Sequence, residues 1–170
     1  MSNPIQSSRL DYIPFTPDDI SDLSLLYGND EVCKYLPGEA PLSQDKIEKT
    51  LNYFIRTHDL NQKQAIYKVQ LRETHDFVGL AGLQLVKEFH QIEVFYSFLP
   101  AFWNQGIATE ASLRMIELAR ELDIEHLIAL ADTRNIGSNK VLLKCGFREN
   151  GQVDLWGLKL NFYELSLERT

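Results

Sequence analysis

Apolar and polar positions along the chain fall into runs of two periods, and their order predicts a mixed α/β fold. Arg9 to Phe15 reads as a short first strand, closed by Thr16-Pro17-Asp18-Asp19. There Thr16 can cap, Pro17 suits a first helical position and Asp19 favours a helix N-terminus, so a helix is expected to about Tyr27. A short helical turn precedes Pro37-Gly38, and Ser43 caps a longer helix in which Ile47, Leu51, Phe54 and Ile55 recur at helical spacing. Ala65 to Leu71 and Phe77 to Val86 favour two strands, joined into a hairpin by the polar turn from Arg72 to Asp76. A third meander strand covers Gln91 to Leu99. The helix from Thr109 then carries Ala111, Met115, Leu118, Ala119 and Leu122 along one face.

His126 to Ala131 is a continuous apolar run, typical of a strand buried on both faces. A strand-helix-strand unit around the Thr109 helix implies that this strand runs parallel to its predecessor. A helix from Ser138 to Lys144, ending at Gly146, and strands over Phe147–Leu155 and Leu158–Leu167 complete the count. The expected fold is therefore mixed α/β (α+β). It has a mostly antiparallel central sheet of about seven strands with one parallel pair, flanked by about four helices.

Composition narrows the function classes. At 170 residues the chain fits one domain, 1–170, long enough to bury roughly 70% of the surface that its unfolded form exposes. Seventeen basic against 24 acidic residues, a net charge of −7, give no footprint for nucleic acid. Cys33 and Cys145 lie far apart and, like the four histidines, lack metal-ligand spacing, so no metal site is expected. No signal pattern opens the chain and no apolar run approaches the ~18 residues of a membrane span, which makes a soluble cytoplasmic protein the expectation.

The most informative stretch is EVFYSFLP, from Glu93 to Pro100, which breaks into AFWNQGIATEA and then into a helix. A strand that stops at a glycine-containing loop and restarts as a helix leaves several backbone N–H groups aimed at one spot. Gly106 lets a ligand approach the backbone and Ala108 is too small to block it. The amides of Gln105 to Thr109 can then cradle phosphate oxygens at the positive end of the helix dipole. An ordinary strand-to-helix turn accounts for the same residues. The segment is neither a G-x-G-x-x-G fingerprint nor a P-loop.

Four segments together resemble the GNAT superfamily of N-acetyltransferases. Phe77-Val78-Gly79-Leu80-Ala81-Gly82-Leu83 is similar to the family's IGxxGL strand, and Glu93-Val94-Phe95-Tyr96 to its EIGY. Pro100 to Ala111 is similar to PxYWGxGYATEA, and Asn135 to Phe147 to NxxSxxVxxKxGF. Arg9-Leu10 and the Thr16-Pro17-Asp18-Asp19 start also resemble the branch that acetylates N-terminal amines of ribosomal proteins at alanine or serine. The resemblance implies acetyl-CoA as co-substrate, with its pyrophosphate on the loop Asn104, Gln105, Gly106, Ile107, Ala108 and Thr109. It also implies a pantetheine arm paired to the backbone near Phe98, where neighbouring strands splay apart, and anchored by Asn135. Asn135 equally suits the turn before a helix.

Acetyl transfer needs a neutral amine, and a positioned carboxylate can remove its proton. Glu93 is the candidate base, because it interrupts an apolar strand and matches the EIGY glutamate. The alternative is a Glu at an exposed strand start paired with a lysine. Glu110, in the first turn of a helix, is a weaker candidate, since the dipole explains it. Many superfamily members protonate the departing thiolate with a tyrosine where this chain has Leu142, so that role falls to Ser138, as the resembling branch suggests, or to no residue; Ser138 also suits an N-cap. Phe95, Ser97 and Leu99 depart from the family's glycine, tryptophan and aspartate, and Phe95 is expected to add bulk near the acceptor groove. The favoured acceptor is a protein or peptide N-terminal α-amine. The alternatives are a small-molecule amine such as a polyamine, amino acid or antibiotic, and a non-catalytic acyl-CoA-binding module.

Overall fold

The structure, a computed structural model, describes residues 4–38 and 41–167. The strands are β1 (Ile5–Gln6), β2 (Leu10–Pro14), β3 (Ala65–Leu71), β4 (Phe77–Val86), β5 (Gln91–Phe98), β6 (His126–Asp132), β7 (Arg148–Leu155) and β8 (Leu158–Ser166). The helices are α1 (Ile20–Tyr27), α2 (Asp30–Cys33), α3 (Gln44–Thr57), α4 (Ile107–Glu121) and α5 (Ile136–Lys144). The strands form one sheet in the order β1-β2-β3-β4-β5-β6-β8-β7, and among the described residues only β5 and β6 pair in parallel.

The meander strands, the parallel pair and the long helices follow the periodicity, and the differences lie at ends and in short elements. β1, with two residues, is too short to leave a pattern; among the described residues it brings the strands to eight, and the one-turn α2 brings the α-helices to five. The first predicted helix opens as a 3-10 turn over Pro17–Asp19, in which Asp19 accepts from the Thr16 amide (2.8 Å) and pairs with Lys68 (2.6 Å) instead of facing solvent. Ser43 does cap α3, accepting from the Lys46 amide at 3.3 Å. Residues 39–40 of the predicted loop before it lie outside the described residues. α4 and α5 each start two residues before their predicted first residues, at Ile107 and Ile136. The cap of α5 is Asn135, whose Oδ1 accepts from the Ser138 amide at 3.2 Å, so Ser138 is not a cap.

Side-chain alternation sorts the sheet into two faces. Val94 and Phe98 of β5 join Leu127 and Ala129 of β6 beneath α4 and α5, while Phe95 joins Ile66 and Leu80 beneath α1 and α3. Met115 and Leu118 of α4 are buried. Each contributes roughly 1.5–3 kcal/mol by burial, more than the propensity of any residue in the helix. Packing on the sheet, not local preference, therefore fixes where the N-terminus of α4 points.

The parallel pair is short. β5 and β6 register only at Ile92–Leu127 and Glu93–Ile128, after which β5 follows β4 and β6 follows β8. Two glycines of β4 bring its neighbouring strands in close. A Cβ on Gly79 would stand 2.2 Å from the Ser97 carbonyl oxygen, and one on Gly82 would stand 2.9 Å from the Phe95 ring. At Gly82 the carbonyl oxygen of Ala65 on β3 stands closer still, at 2.4 Å, so Gly79 permits the close approach of β4 to β5 and Gly82 the close packing of β4 against β3 and the Phe95 ring.

Candidate active site

The loop from Leu99 to Gly106 carries the chain from the end of β5 to α4, past the end at which the parallel strands diverge. Gly106 is the N-cap of α4 and holds φ +76°, the left-handed region that favours glycine. Among the described residues no protein acceptor takes the amides of Asn104, Gln105, Gly106, Ile107, Ala108 or Thr109; the first bonded amide of the helix is that of Glu110, to the Gly106 carbonyl at 3.0 Å. Several unpartnered N–H groups at the positive end of a fifteen-residue helix suit an anion, and they fit a diphosphate.

Arg9, on the approach to β2, buttresses this loop. Its Nη1 donates to the Gln105 carbonyl at 2.8 Å and its Nε to Glu110 Oε1 at 2.7 Å, while Ser7 Oγ and the Arg9 amide donate to Glu110 Oε2 at 2.6 and 2.9 Å. Burial pushes the Glu110 carboxyl up, but these bonds outweigh it and hold the group below its ordinary value. Glu110 is thus a strap between the first strands and α4, with every carboxylate oxygen engaged. Arg9 appeared in the sequence only as part of the opening, because its contacts lie about a hundred residues away.

The alternation of hydrogen bonds along β5 decides what faces the gap. Leu99 N–H donates to the Val78 carbonyl at 2.9 Å, so Leu99, Ser97, Phe95 and Glu93 turn their backbone groups toward β4. Tyr96 and Phe98 therefore turn theirs toward the widening split. The Phe98 carbonyl is already used, accepting from Trp103 Nε1 at 2.7 Å, which leaves the Phe98 N–H for a partner in the split. Trp103 thereby braces the loop.

Side chains on both faces of the sheet flank this region, Glu93 at the closed end of the split, where β5 still pairs with β6, and Tyr96 beyond it. On the α1/α3 face, Glu93 is 6% exposed and no lysine pairs with it. Gln84 Nε2 donates to Glu93 Oε1 at 2.7 Å and the Tyr53 hydroxyl donates to Gln84 Oε1 at 2.9 Å, while Glu93 Oε2 has no partner among the described residues. Burial raises the Glu93 carboxyl to about 7; the Gln84 bond opposes this and the charge of Glu88 adds to it. Phe95 does not stand free in the groove: its ring lies over Gly82 and within 6.4 Å of the Phe54 ring.

On the α4/α5 face, the Tyr96 hydroxyl lies 3.0 Å from Ser138 Oγ, and burial drives the Tyr96 phenol far above its ordinary value. Asn135, as the cap of α5, spends its oxygen on the helix. Cys145 is buried with its Sγ 3.8 Å from the Thr109 carbonyl, and burial lifts its thiol to about 11, which keeps it protonated and a poor nucleophile. At the end of β6 both Asp132 oxygens accept from Arg134, whose guanidinium lies 5.5 Å from the Tyr35 ring. That stack ties the loop after α2 to the rim of the split. Gln84, Tyr53 and Arg134 carried no sequence signal, because each matters through a partner on another element, and Tyr96 stood out only within the EIGY-like segment, with no sign of its bond to Ser138.

No cluster of three or more metal-ligating side chains occurs among the described residues, and none of their helices is long and apolar enough to cross a membrane. A family model for the acetyltransferase (GNAT) domain matches residues 9–148. A Bacillus subtilis (strain 168) protein, the uncharacterized N-acetyltransferase YoaA, is 26% identical over 151 residues, covering 86% of this chain and 84% of that protein. Among solved structures, the chain resembles RimL, a ribosomal L7/L12 alpha-N-protein acetyltransferase in complex with coenzyme A, with a TM-score of 0.77 and 19% identity over 97% of this chain and 98% of that one. It also resembles spermidine N-acetyltransferase from Vibrio cholerae in complex with CoA and spermine, with a TM-score of 0.76 and 18% identity over 94% and 96% of the two chains. With an acetyltransferase model spanning most of the sequence and the same fold in solved members, the chain belongs to the GNAT acetyltransferase family.

Proposed function

We propose that the chain transfers an acetyl group from acetyl-CoA to a protein or peptide N-terminal α-amine, by direct attack with both substrates bound. The observation that carries this reading is one split with unpartnered amides beyond its open end and, at its closed end where the strands still pair, a buried carboxylate whose second oxygen has no partner among the described residues. Acetyl-CoA supplies an activated thioester and a diphosphate handle. The amides of residues 104–109 hold the diphosphate, the Phe98 N–H holds the arm, and Asn135 sets the start of α5 beside it. Two buried free cysteines suit a reducing compartment, the cytoplasm.

Glu93 serves as general base through Oε2. With ordinary values, about 10% of an α-amine but under ~0.1% of a lysine-like amine is neutral at pH 7. A carboxylate near 7 lies within about one unit of an α-ammonium and more than three units below an alkyl ammonium. The proton transfer is therefore much less uphill for an N-terminal acceptor. Similarity to a spermidine acetyltransferase favours a small amine as the second reading.

Ser138, held by Tyr96, donates to the sulfur as charge develops on it. Ser138→Ala should lower kcat about tenfold, the value of one hydrogen bond to a charged group, with acetyl-CoA affinity retained. Steady-state kinetics beside calorimetry checks this, and an equal loss of affinity would assign Ser138 to binding instead.

The test of function is calorimetry with acetyl-CoA followed by a thiol-release assay over peptides with free N-termini, polyamines and amino acids. Turnover highest on peptide α-amines is expected. Highest turnover on polyamines would select the second reading, and tight binding without turnover on any amine would leave a non-catalytic acyl-CoA-binding module.

A further inference from the structure

Gln84 stands directly opposite Glu93 in the β4–β5 ladder and touches two groups at once. A primary amide has an accepting end and a donating end, and a neighbour that donates decides which end points where. The Tyr53 hydroxyl donates to Oε1, so the Nε2–H is left facing the Glu93 carboxylate. We propose that Tyr53 and Gln84 are positioning residues for Glu93: the α3 phenol orients the Gln84 amide, and the amide holds the carboxylate with Oε2 toward the split and favours its proton-free form. This rests on the reading of Glu93 as the base.

The surroundings make that amide decisive. Burial favours protonated Glu93, and Glu88, from the turn between β4 and β5, favours it further. From α3 come Tyr53 and Arg56, whose guanidinium lies 5.7 Å from the Tyr53 ring, and among the described residues no cation pairs with Glu93 itself. On β6 the residue opposite is the apolar Ile128. Among the described residues Gln84 is thus the one neighbour in contact that stabilises the charged carboxylate. Turned around, the same amide would present its oxygen, repel the carboxylate and accept a hydrogen bond from the acid form. A hydroxyl on α3 that never touches Glu93 therefore sets the sign of the interaction.

The experiment compares wild type, Gln84→Met and Tyr53→Phe by the pH dependence of kcat/KM and by carbon-13 NMR titration of the Glu93 carboxyl, assigned with Glu93→Gln. In both variants the acid limb and the carboxyl midpoint should rise together, by about one pH unit in Gln84→Met, the size of one lost hydrogen bond to a charged group, and by less in Tyr53→Phe, which frees the amide without removing it. The lost rate should return as pH is raised, whereas general structural damage would lower the rate at every pH. An unmoved midpoint in Tyr53→Phe would overturn the proposal, and that variant decides the matter if Gln84→Met fails to fold. Should Glu93→Gln keep full activity, the base reading fails instead, while the NMR titration still reports whether Tyr53 and Gln84 govern the carboxyl.

Discussion

Glu93→Gln should reduce kcat by about 10²–10⁴, the usual worth of a positioned base, while acetyl-CoA binds as before. The amide keeps the shape and can still accept from Gln84, so only the proton acceptor is lost. In the wild type the rate should climb as pH passes through about 7, because the base acts proton-free. The variant should lose that limb. Full rate in the variant at every pH would sink the assignment. Stability should move the other way. The folded carboxyl titrates near 7 against an ordinary 4.5, so folding favours its protonated form. The destabilisation is absent below about pH 4.5, grows as pH rises and is complete above about 7. At pH 8 the Gln variant should therefore be more stable by at most about 3 kcal/mol, a rise of up to roughly 6–12 °C in Tm. Near pH 4 the two proteins should melt together. Thermal denaturation at the two pH values reads this directly, and a protein that lost activity through misfolding would not gain stability.

Gly106→Val should weaken acetyl-CoA binding on the order of 100-fold, with the fold retained. At φ +76° a β-branched residue is strained by roughly 1–2 kcal/mol or more, so the loop turns to relieve it and the amides cease to converge. Crowding is a smaller effect, since the nearest atom to a Cβ there is Arg9 Nη2 at 3.4 Å. Losing two hydrogen bonds to a charged group, each worth about 1.5 kcal/mol, gives the hundredfold figure. Gly106→Ala, which shares the unfavourable φ but lacks the branch, should fall between. Calorimetry with circular dichroism as a control checks both, and a dissociation constant within twofold of wild type in Gly106→Val would show that the diphosphate lies elsewhere.

The central strands were legible because a half-buried strand or helix writes its period into the chain: β3 and β4 occupy their predicted spans, and α4 buries the predicted Ala111, Met115, Leu118 and Ala119. The break at Gly106 was legible because a strand, a glycine and a helix follow one another along the chain, and the structure places Gly106 as the cap of α4. Helix starts were less so. Asn135 and Ser138 both suit a cap by residue type, and only the position of the Asn135 oxygen against the Ser138 amide tells them apart.

By itself the sequence determined the order of the elements, the parallel pair, the loop at Gly106 and the family to which all of them point. It could not determine whether Glu93 lies in water or in the sheet, since a lone acid in an apolar strand fits either, and the two settings give opposite chemistry. Tertiary packing decided that. α3 covers the strand and strips water from the carboxylate, and Gln84 and Tyr53 reach it from another strand and a helix. Local pattern records which side of an element is buried; burial depth, hydrogen-bond partners and the resulting proton affinity arise only where distant segments meet.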